Sequence, residues 1–317
     1  MKEYKFACPV CNSDSIIVKE LTSSFLERSL GEYYNEKIDA NLSLIPYKIR
    51  QCKSCSLEFA SPMQGGSSEF YTWITSHKGY YPDSRWEWQE VVNQIQSQGL
   101  KSANLLEIGC GTGKFLKLAE KNGINVVGID MTETSVQQCV NDGLEVYSNT
   151  LEEFINSNYN TQHKFDYLVS FHCLEHVDDP KALVKAMYSV LKPTGRIFLS
   201  TPYSPMSFET SWFDPLNHPP HHMTRWNVKS YSELAKQLGL KAEFIMPPAS
   251  KLIDRVLSTL NYAWNSPVKL MDKKAIFFAA LRKPHVMLTE IYRQLSREKL
   301  NSRVVADVVL VQLKNEH

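Results

Sequence analysis

The chain has 317 residues, with 35 Lys and Arg against 34 Asp and Glu. That is long enough for one large domain plus an appendage, and the formal charge of +1 excludes a general attraction to polyanions. No apolar segment follows Met1, and the longest uninterrupted apolar run, Ile276 to Leu281, falls far short of the roughly 20 residues that span a bilayer. Neither a secretion signal nor a membrane span is expected, and the cytoplasm is the expected location.

The first unit, 1–62, is marked by two C-x-x-C knuckles, Cys8-Pro9-Val10-Cys11 and Cys52-Lys53-Ser54-Cys55. Paired thiolates at that spacing can each wrap one side of a tetrahedral ion, as in a four-cysteine zinc ribbon; disulfides are the competing reading, disfavoured in a reducing compartment. Four protein thiolates leave no open position for water, so such a Zn2+ is structural, and binding it is folding energy. Phe6 and Phe59 flank the knuckles as candidates for a small core, and Ile16 to Tyr47 reads as strand, helix and return strand. Residues 1–62 hold eight Lys/Arg and eight Asp/Glu, so the ribbon lacks the basic face of a nucleic-acid reader, and no nucleic-acid partner is expected.

A linker by composition, Ser61 to Ser68, opens the stretch 63–101. Its aromatics, Phe70, Tyr71, Trp73, Tyr80, Tyr81, Trp86 and Trp88, suit either packing between two units or one wall of a pocket, and His77 reads as a surface residue. A helix is expected from Ser84 to Gln98.

The stretch 102–250 reads as an α/β core. The apolar run Leu105-Leu106-Glu107-Ile108 breaks into glycines at alternate positions, Gly109, Gly111 and Gly113, and passes into Phe115, Leu116, Leu118 and Ala119 at helical spacing. Strand, tight turn and helix follow in that order. The glycines let the backbone approach a bound cofactor, with free N–H groups of the helix N-terminus behind them. About twenty residues on, Val126-Val127-Gly128-Ile129-Asp130 is a second buried strand. It ends in a carboxylate placed for both hydroxyls of a ribose. Then come a helix from Glu133 to Asn141, a strand over Leu144–Tyr147, and a strand over Phe165–Ser170 that delivers Phe171-His172-Cys173-Leu174-Glu175-His176-Val177 to the ligand-binding edge of the sheet. A helix with Leu183, Val184, Met187, Val190 and Leu191 on one face leads through Pro193-Thr194-Gly195 to a strand over Arg196–Ser200.

With Glu107 two residues before the first glycine, the turn reads E-x-G-x-G-x-G, and the chain from about Ala103 to Pro202 resembles class I S-adenosylmethionine (SAM) dependent methyltransferases. The resemblance implies a Rossmann-like seven-stranded sheet with helices on both faces. It also implies SAM as cofactor and S-adenosylhomocysteine as product. Carried over, Gly109, Gly111 and Gly113 pass under the methionine part with Cys110 between them. Asp130 holds the ribose beside Met131, and Glu107 fixes the loop and the amino-acid end. The loop at Asn149, Thr150 and Leu151 wraps the adenine, Phe171 and His172 border the cofactor, and Glu175 and His176 brace their loop.

Beyond the fifth core strand lies the stretch Trp212, Phe213, Asp214, His218, Pro219, Pro220, His221, His222, Met223, Thr224, Arg225, Trp226. Three histidines in five positions suggest a metal, but no carboxylate or cysteine stands at helical spacing beside them, so acceptor binding is the better reading. Transfer to a hydroxyl needs a base of near-neutral pKa, which makes His221 and His222 the catalytic candidates, with His218 behind them and Arg225 holding an anionic group. The competing reading is a rigid loop that works by positioning alone.

Val228, Tyr231, Leu234, Ala235 and Leu238 stripe the next helix, and Leu240 to Met246 is a sixth strand. In 251–300, Leu252, Val256, Leu260 and Trp264 mark one helix and Leu288, Tyr292 and Leu295 another, with ten Lys/Arg against four Asp/Glu. Such a basic amphipathic segment suits contact with anionic membrane or a lipid-linked acceptor, or else a helical cap or dimer surface. In 301–317, Arg303 to Leu313 returns as an edge strand; the resemblance implies an antiparallel seventh strand inserted beside the sixth.

With its four-cysteine module the chain resembles methyltransferases of bacterial polysaccharide or secondary-metabolite biosynthesis, and the resemblance implies SAM-dependent methyl transfer to a hydroxyl of a sugar, glycan-linked or other small acceptor. The alternatives are C-methylation of a sugar nucleotide, an rRNA methyltransferase with a zinc ribbon, and a non-catalytic SAM-binding partner subunit. No Asn/Asp-Pro-Pro-Tyr follows the fourth strand, and Cys173 is not preceded by proline, which removes amino-methylating and cytosine C5 relatives.

Overall fold

The middle strands of the central sheet, Asn104–Ile108, Phe165–Phe171 and Val308–Asn315, are buried on both faces. In the computed structural model, which describes residues 6–99, 102–157, 165–209, 212–247, 251–264, 278, 281–282, 284–300 and 307–315, Leu105 and Leu106 of β4 (Asn104–Ile108) are both buried but enter different cores. Alternate residues of a strand point to opposite faces, so a run without polar breaks marks a strand with helices on both sides.

Parallel neighbours of β4 are β5 (Asn125–Asp130) and β7 (Phe165–Phe171); β5 pairs with β6 (Val146–Ser148), and β7 with β8 (Leu191–Pro202). On one face lie α3 (Trp86–Ser97), α4 (Lys114–Lys121) and α5 (Glu133–Asn141) through Val91, Phe115 and Cys139. On the other lie α6 (Leu151–Asn156), α7 (Pro180–Val190) and α8 (Val228–Gln237) through Phe154, Met187 and Leu234.

The last strand, β11 (Val308–Asn315), is not an edge. It lies between β8 and β10 (Leu240–Ile245), antiparallel to both, and completes a seven-stranded sheet in the order β10-β11-β8-β7-β4-β5-β6. Its run Val309-Leu310-Val311-Gln312-Leu313 is wholly buried, which an interior strand requires and an edge strand does not. Arg303 to Ala306 of the expected strand, and most of the run Ile276–Leu281, lie outside the described residues.

A second, four-stranded sheet joins β1 (Ser15–Leu21), β2 (Tyr47–Cys52), β3 (Glu58–Ser61) and β9 (Thr224–Arg225), with α1 (Ser23–Tyr34) in the crossover from β1 to β2. The fourth strand comes from the histidine-bearing segment after β8. The N-terminal sheet is therefore completed by the core, through the pairs Glu58↔Arg225 and Phe59↔Thr224. Phe59 is buried, whereas Phe6 stays 51% exposed over the Arg50 guanidinium; Val10 and Leu57 fill the space instead. After β3 runs α2 (Ser68–Thr75), which buries Phe70 and Ile74 against Leu30 of α1.

Helices α9 (Leu252–Trp264) and α10 (Pro284–Leu300) pack on each other through Val256, Leu260, Met287 and Ile291. The expected stripe Leu288, Tyr292 and Leu295 points outward, at 65%, 72% and 40% exposure. The inward face of α10 carries Glu290 and Gln294, with the Gln294 amide donating to the Ser207 carbonyl and to Thr259, and this polar choice hid the buried side from the pattern.

Candidate active site

The turn after β4 places Gly109, Gly111 and Gly113 at φ 74°, 51° and 70°, a left-handed backbone that L side chains rarely adopt. A Cβ on Gly109 would stand 3.0 Å from Cys173 Sγ, and one on Gly111 2.9 Å from Tyr81 Cε1. Gly109, Cys110 and Gly111 line a cleft; Gly113 faces away from it as the N-cap of α4, where a Cβ would meet Leu144 Cδ1 at 2.6 Å. Asp130, at the tip of β5, clasps the turn. Its Oδ2 accepts from the Gly111 N–H and its Oδ1 from the Thr132 N–H, both at 2.8 Å. Each oxygen keeps a second lone pair toward the cleft. Met131 beside it is 75% exposed at the cleft wall.

Glu107 is buried at the base of the turn with Oε2 unpartnered. Burial, and then the charge of Asp130, push its carboxyl well above the usual range. Its side chain lines the cleft. Phe171 closes the strand end edge-on to Phe115, with ring centres 4.7 Å apart. His172, at φ 51°, sits between two buried carboxylates: Nε2 is 3.0 Å from Glu87 Oε1 and Nδ1 3.5 Å from Glu175 Oε1. Burial opposes its charge, but Glu175 and Glu87 outweigh burial and raise the imidazolium above the ordinary histidine value. Burial pushes the Cys173 thiol up to about 12, so it is no thiolate nucleophile at neutral pH.

Thr150 and Leu151 do not reach the cleft. The Thr150 hydroxyl accepts from the Glu153 N–H and donates to its carboxylate in a capping box that opens α6, while Leu151 enters the core beneath. A polar residue after a strand reads equally as ligand contact or helix cap, and here the cap takes it.

Opposite the glycine turn stand the histidines. His221 donates from Nδ1 to the Leu216 carbonyl at 2.8 Å, and its Nε2 accepts from the Tyr80 hydroxyl at 3.1 Å. His222 donates from Nδ1 to Asn217 Oδ1 at 3.1 Å, and its Nε2 lies 4.0 Å from Glu175 Oε1. His176 joins them from the loop after β7, its Nδ1 donating to the His221 carbonyl at 2.7 Å. Burial comes first, then the neighbouring histidines, in driving His221 and His222 well below the ordinary value, so both are neutral imidazoles at pH 7.

His218 and Arg225 belong to the framework. Arg225 is 7% exposed. Its Nε is 3.0 Å from Glu58 Oε2, Nη1 donates to His218 Nε2 at 2.8 Å, and Nη2 donates to Ser204 Oγ at 2.8 Å and to Glu209. It holds carboxylates of this chain, not of an acceptor. Neither His218 nor Arg225 lines the cleft.

One cleft of about 1910 Å³ runs from Asp130 and the glycine turn to His176, His221 and His222. Tyrosines 33, 34, 47, 71, 80 and 81 wall it, contributed by α1, β2, α2 and the segment after α2. Away from the cleft, Cys8 Sγ lies 3.6 Å from Cys55 Sγ and Cys11 Sγ 3.5 Å from Cys52 Sγ, all four within 4.8 Å of one another. Zinc–sulfur bonds of about 2.3 Å in a tetrahedron put sulfurs roughly 3.8 Å apart, so the thiols fit that ion.

A family model described as a methyltransferase domain matches residues 83–243, the span that holds the turn, Asp130 and the histidines. The chain belongs to the methyltransferase-domain family. Curated relatives of this chain include the ubiquinone biosynthesis O-methyltransferase of Haemophilus ducreyi, 35% identical over 115 residues, which cover 34% of this chain and 49% of that protein. Its namesake from Histophilus somni is 36% identical over 115 residues, covering 34% and 48%. The chain spans about half the length of the curated relatives it matches. Among solved structures, a SAM-dependent methyltransferase from Archaeoglobus fulgidus aligns with TM-score 0.48 and 18% identity, over 77% of this chain and all of that one.

Three contacts at or beside the cleft left no sequence signal: His176 as neighbour of the histidine pair, Glu87 as partner of His172, and Tyr80 on His221. The pairing of Glu87 with His172 spans 85 positions and leaves no local trace. Tyr80 was visible only as one of many aromatics.

Proposed function

We propose that the protein transfers the methyl group of SAM to a hydroxyl of a cyclic small molecule. The observation that carries this reading is the single cleft joining the Gly109–Gly111 turn and Asp130 to the histidines. SAM fits the first end. The Asp130 oxygens take the ribose hydroxyls, the Glu107 carboxyl meets the cationic amino-acid end, and His172 and Phe171 border the methionine part. The acceptor lies along the tyrosine wall, whose ring faces stack on a sugar or phenol ring and whose hydroxyls bond its substituents. Its reacting hydroxyl lies at the His176, His221 and His222 end of the cleft. Transfer to oxygen is favoured by the O-methyltransferase activity that the relatives' names state, and sugar or glycan-linked acceptors suit the hydroxyl-rich wall.

The four-cysteine cluster holds a structural Zn2+ in this reading, fixing the N-terminal sheet that carries part of the acceptor wall. The test is calorimetric binding of SAM and S-adenosylhomocysteine, followed by transfer of radiolabelled methyl to a panel of sugar nucleotides, glycans and phenols. Binding with label in one acceptor class is the expected result. No heat with either ligand overturns the reading, as does label in RNA alone.

A further inference from the structure

His176, His221 and His222 come from two different loops, yet one ring nitrogen of each lies within 4.8 Å of the others. All three have Nδ1 committed to an oxygen: the His221 carbonyl, the Leu216 carbonyl and Asn217 Oδ1. A carbonyl oxygen only accepts, so Nδ1 carries the hydrogen in each ring and Nε2 keeps the lone pair. Metal-bound histidines are oriented in this way by their outer hydrogen bond. Asn217 is itself held, its amide nitrogen donating to Glu209 at 3.0 Å. Beside them, Glu175 is 1% exposed and neither carboxylate oxygen has a hydrogen-bond partner, although one stands 4.0 Å from His222 Nε2 and 3.5 Å from His172 Nδ1. A carboxylate oxygen and an imidazole lone pair facing each other in a buried site repel unless a proton or a cation lies between them.

We propose that His176, His221 and His222 bind a divalent transition-metal ion of the zinc type, leaving a fourth position open to the acceptor hydroxyl. Three imidazoles suit zinc, cobalt or iron better than magnesium or calcium, and three protein ligands with one open position are the pattern of a reactive site, unlike the closed four-cysteine cluster. Metal–nitrogen bonds of about 2.0–2.1 Å place tetrahedral donors roughly 3.3 Å apart, so the ligand nitrogens close by up to about 1.5 Å, and the His221 and His222 rings, now stacked at 20° with centres 4.5 Å apart, splay to turn both lone pairs on the ion. The Tyr80 hydroxyl occupies the His221 Nε2 lone pair and must turn aside to admit the ion.

This inference rests on the methyl-transfer reading for its chemistry. The acceptor hydroxyl loses its proton to Glu175, and its oxygen forms the new bond to the methyl carbon. The carbon–sulfur bond of the sulfonium breaks with its electron pair left on sulfur. No further reactant is needed.

The test is metal stoichiometry of the full-length protein with Zn2+ and Co2+. Two equivalents are expected. The first Co2+ gives the intense bands of a thiolate site, and the second adds only the weak bands of a nitrogen–oxygen site, with imidazole scattering in its X-ray absorption spectrum. His222→Gln and His176→Gln should each take up one equivalent while binding SAM within about twofold of the parent. Tyr80→Phe, which frees the His221 lone pair and leaves the ligands in place, should keep both ions and hold the second at least as tightly. A parent protein that saturates at one equivalent, all of it thiolate-bound, overturns the proposal whether or not the variants fold. So does a second equivalent that survives both histidine substitutions. A protein that takes the second ion yet ignores SAM upholds the metal site and refutes the methyl-transfer reading.

Discussion

Replacing Arg225 by methionine removes a charge but keeps most of the side-chain volume, so its effect isolates the buried ion cluster. The guanidinium is 7% exposed and serves two carboxylates, Glu58 and Glu209, along with Ser204 Oγ and His218 Nε2. Removing one partner of a buried ion pair costs about 3–5 kcal/mol, because the charge left behind has no compensation. The Glu58 and Glu209 side chains are 24% and 14% exposed, so water recovers some of that loss and the lower end, about 3 kcal/mol, applies. At roughly 2–4 °C per kcal/mol for a chain of this size, the melting temperature should fall by about 6–12 °C. Adding Glu209→Gln to Arg225→Met should restore roughly 1–2 kcal/mol, since one stranded carboxylate is then gone. Urea and thermal unfolding of the parent, the single variants and the double variant measure this cycle. If Arg225→Met melts within a degree of the parent while KM for the acceptor rises, the arginine belongs to the acceptor after all and the assignment to the framework is refuted.

The other predictions are smaller in scope. Gly113→Ala should destabilise by about 2–5 kcal/mol, combining roughly 1–2 for a side chain at positive φ with roughly 1–3 for overpacking against Leu144 and Cys139. Gly143→Ala, at φ 83° with nothing within 4 Å of a Cβ, should show the first part alone in chemical denaturation. Glu107 keeps its proton to higher pH when folded than when unfolded. The unfolded chain therefore releases that proton first, and stability of the SAM-free protein falls as pH rises above the ordinary 4.5 toward the folded value. Glu107→Gln should flatten that fall in melting temperature against pH, and it should weaken SAM in calorimetry. Chelation of the four-cysteine ion should abolish hydrogen-exchange protection in Ser15–Leu21 and Tyr47–Cys52 while sparing Asn104–Ile108 and Phe165–Phe171; equal loss everywhere contradicts a local structural role.

The glycine turn and the alternating strands and helices were legible because their signals are local: Gly109 and Gly111 need positive φ, Asp130 ends an apolar strand, and both recur at short spacing. What escaped depends on contacts between distant residues. Arg225 and His222 stand three positions apart in one segment, yet one faces the N-terminal sheet and the other the cleft, a difference decided by the pairing of Thr224–Arg225 with Glu58–Phe59. No periodicity in a two-residue strand announces that pairing. Thr150 shows the reverse failure, a local motif with two valid readings of which the helix cap was realised. Leu288, Tyr292 and Leu295 mislead because α10 buries glutamate and glutamine, so the apolar stripe marks its outward side.

The short β9 strand ties the N-terminal sheet to the segment that carries His221 and His222. Phe59 pairs with Thr224, two residues from His222, and the Asn227 amide donates to the Ser56 carbonyl at 3.1 Å, just past the second cysteine knuckle. The histidine loop thus has its downstream anchor on the segment that carries the second cysteine pair. Oxidants or metal thieves acting at the cysteines would slacken that anchor without entering the cleft. Anyone transplanting the cleft into another protein must carry the first sixty residues along with it, since they supply both the β9 pairing and part of the cleft wall.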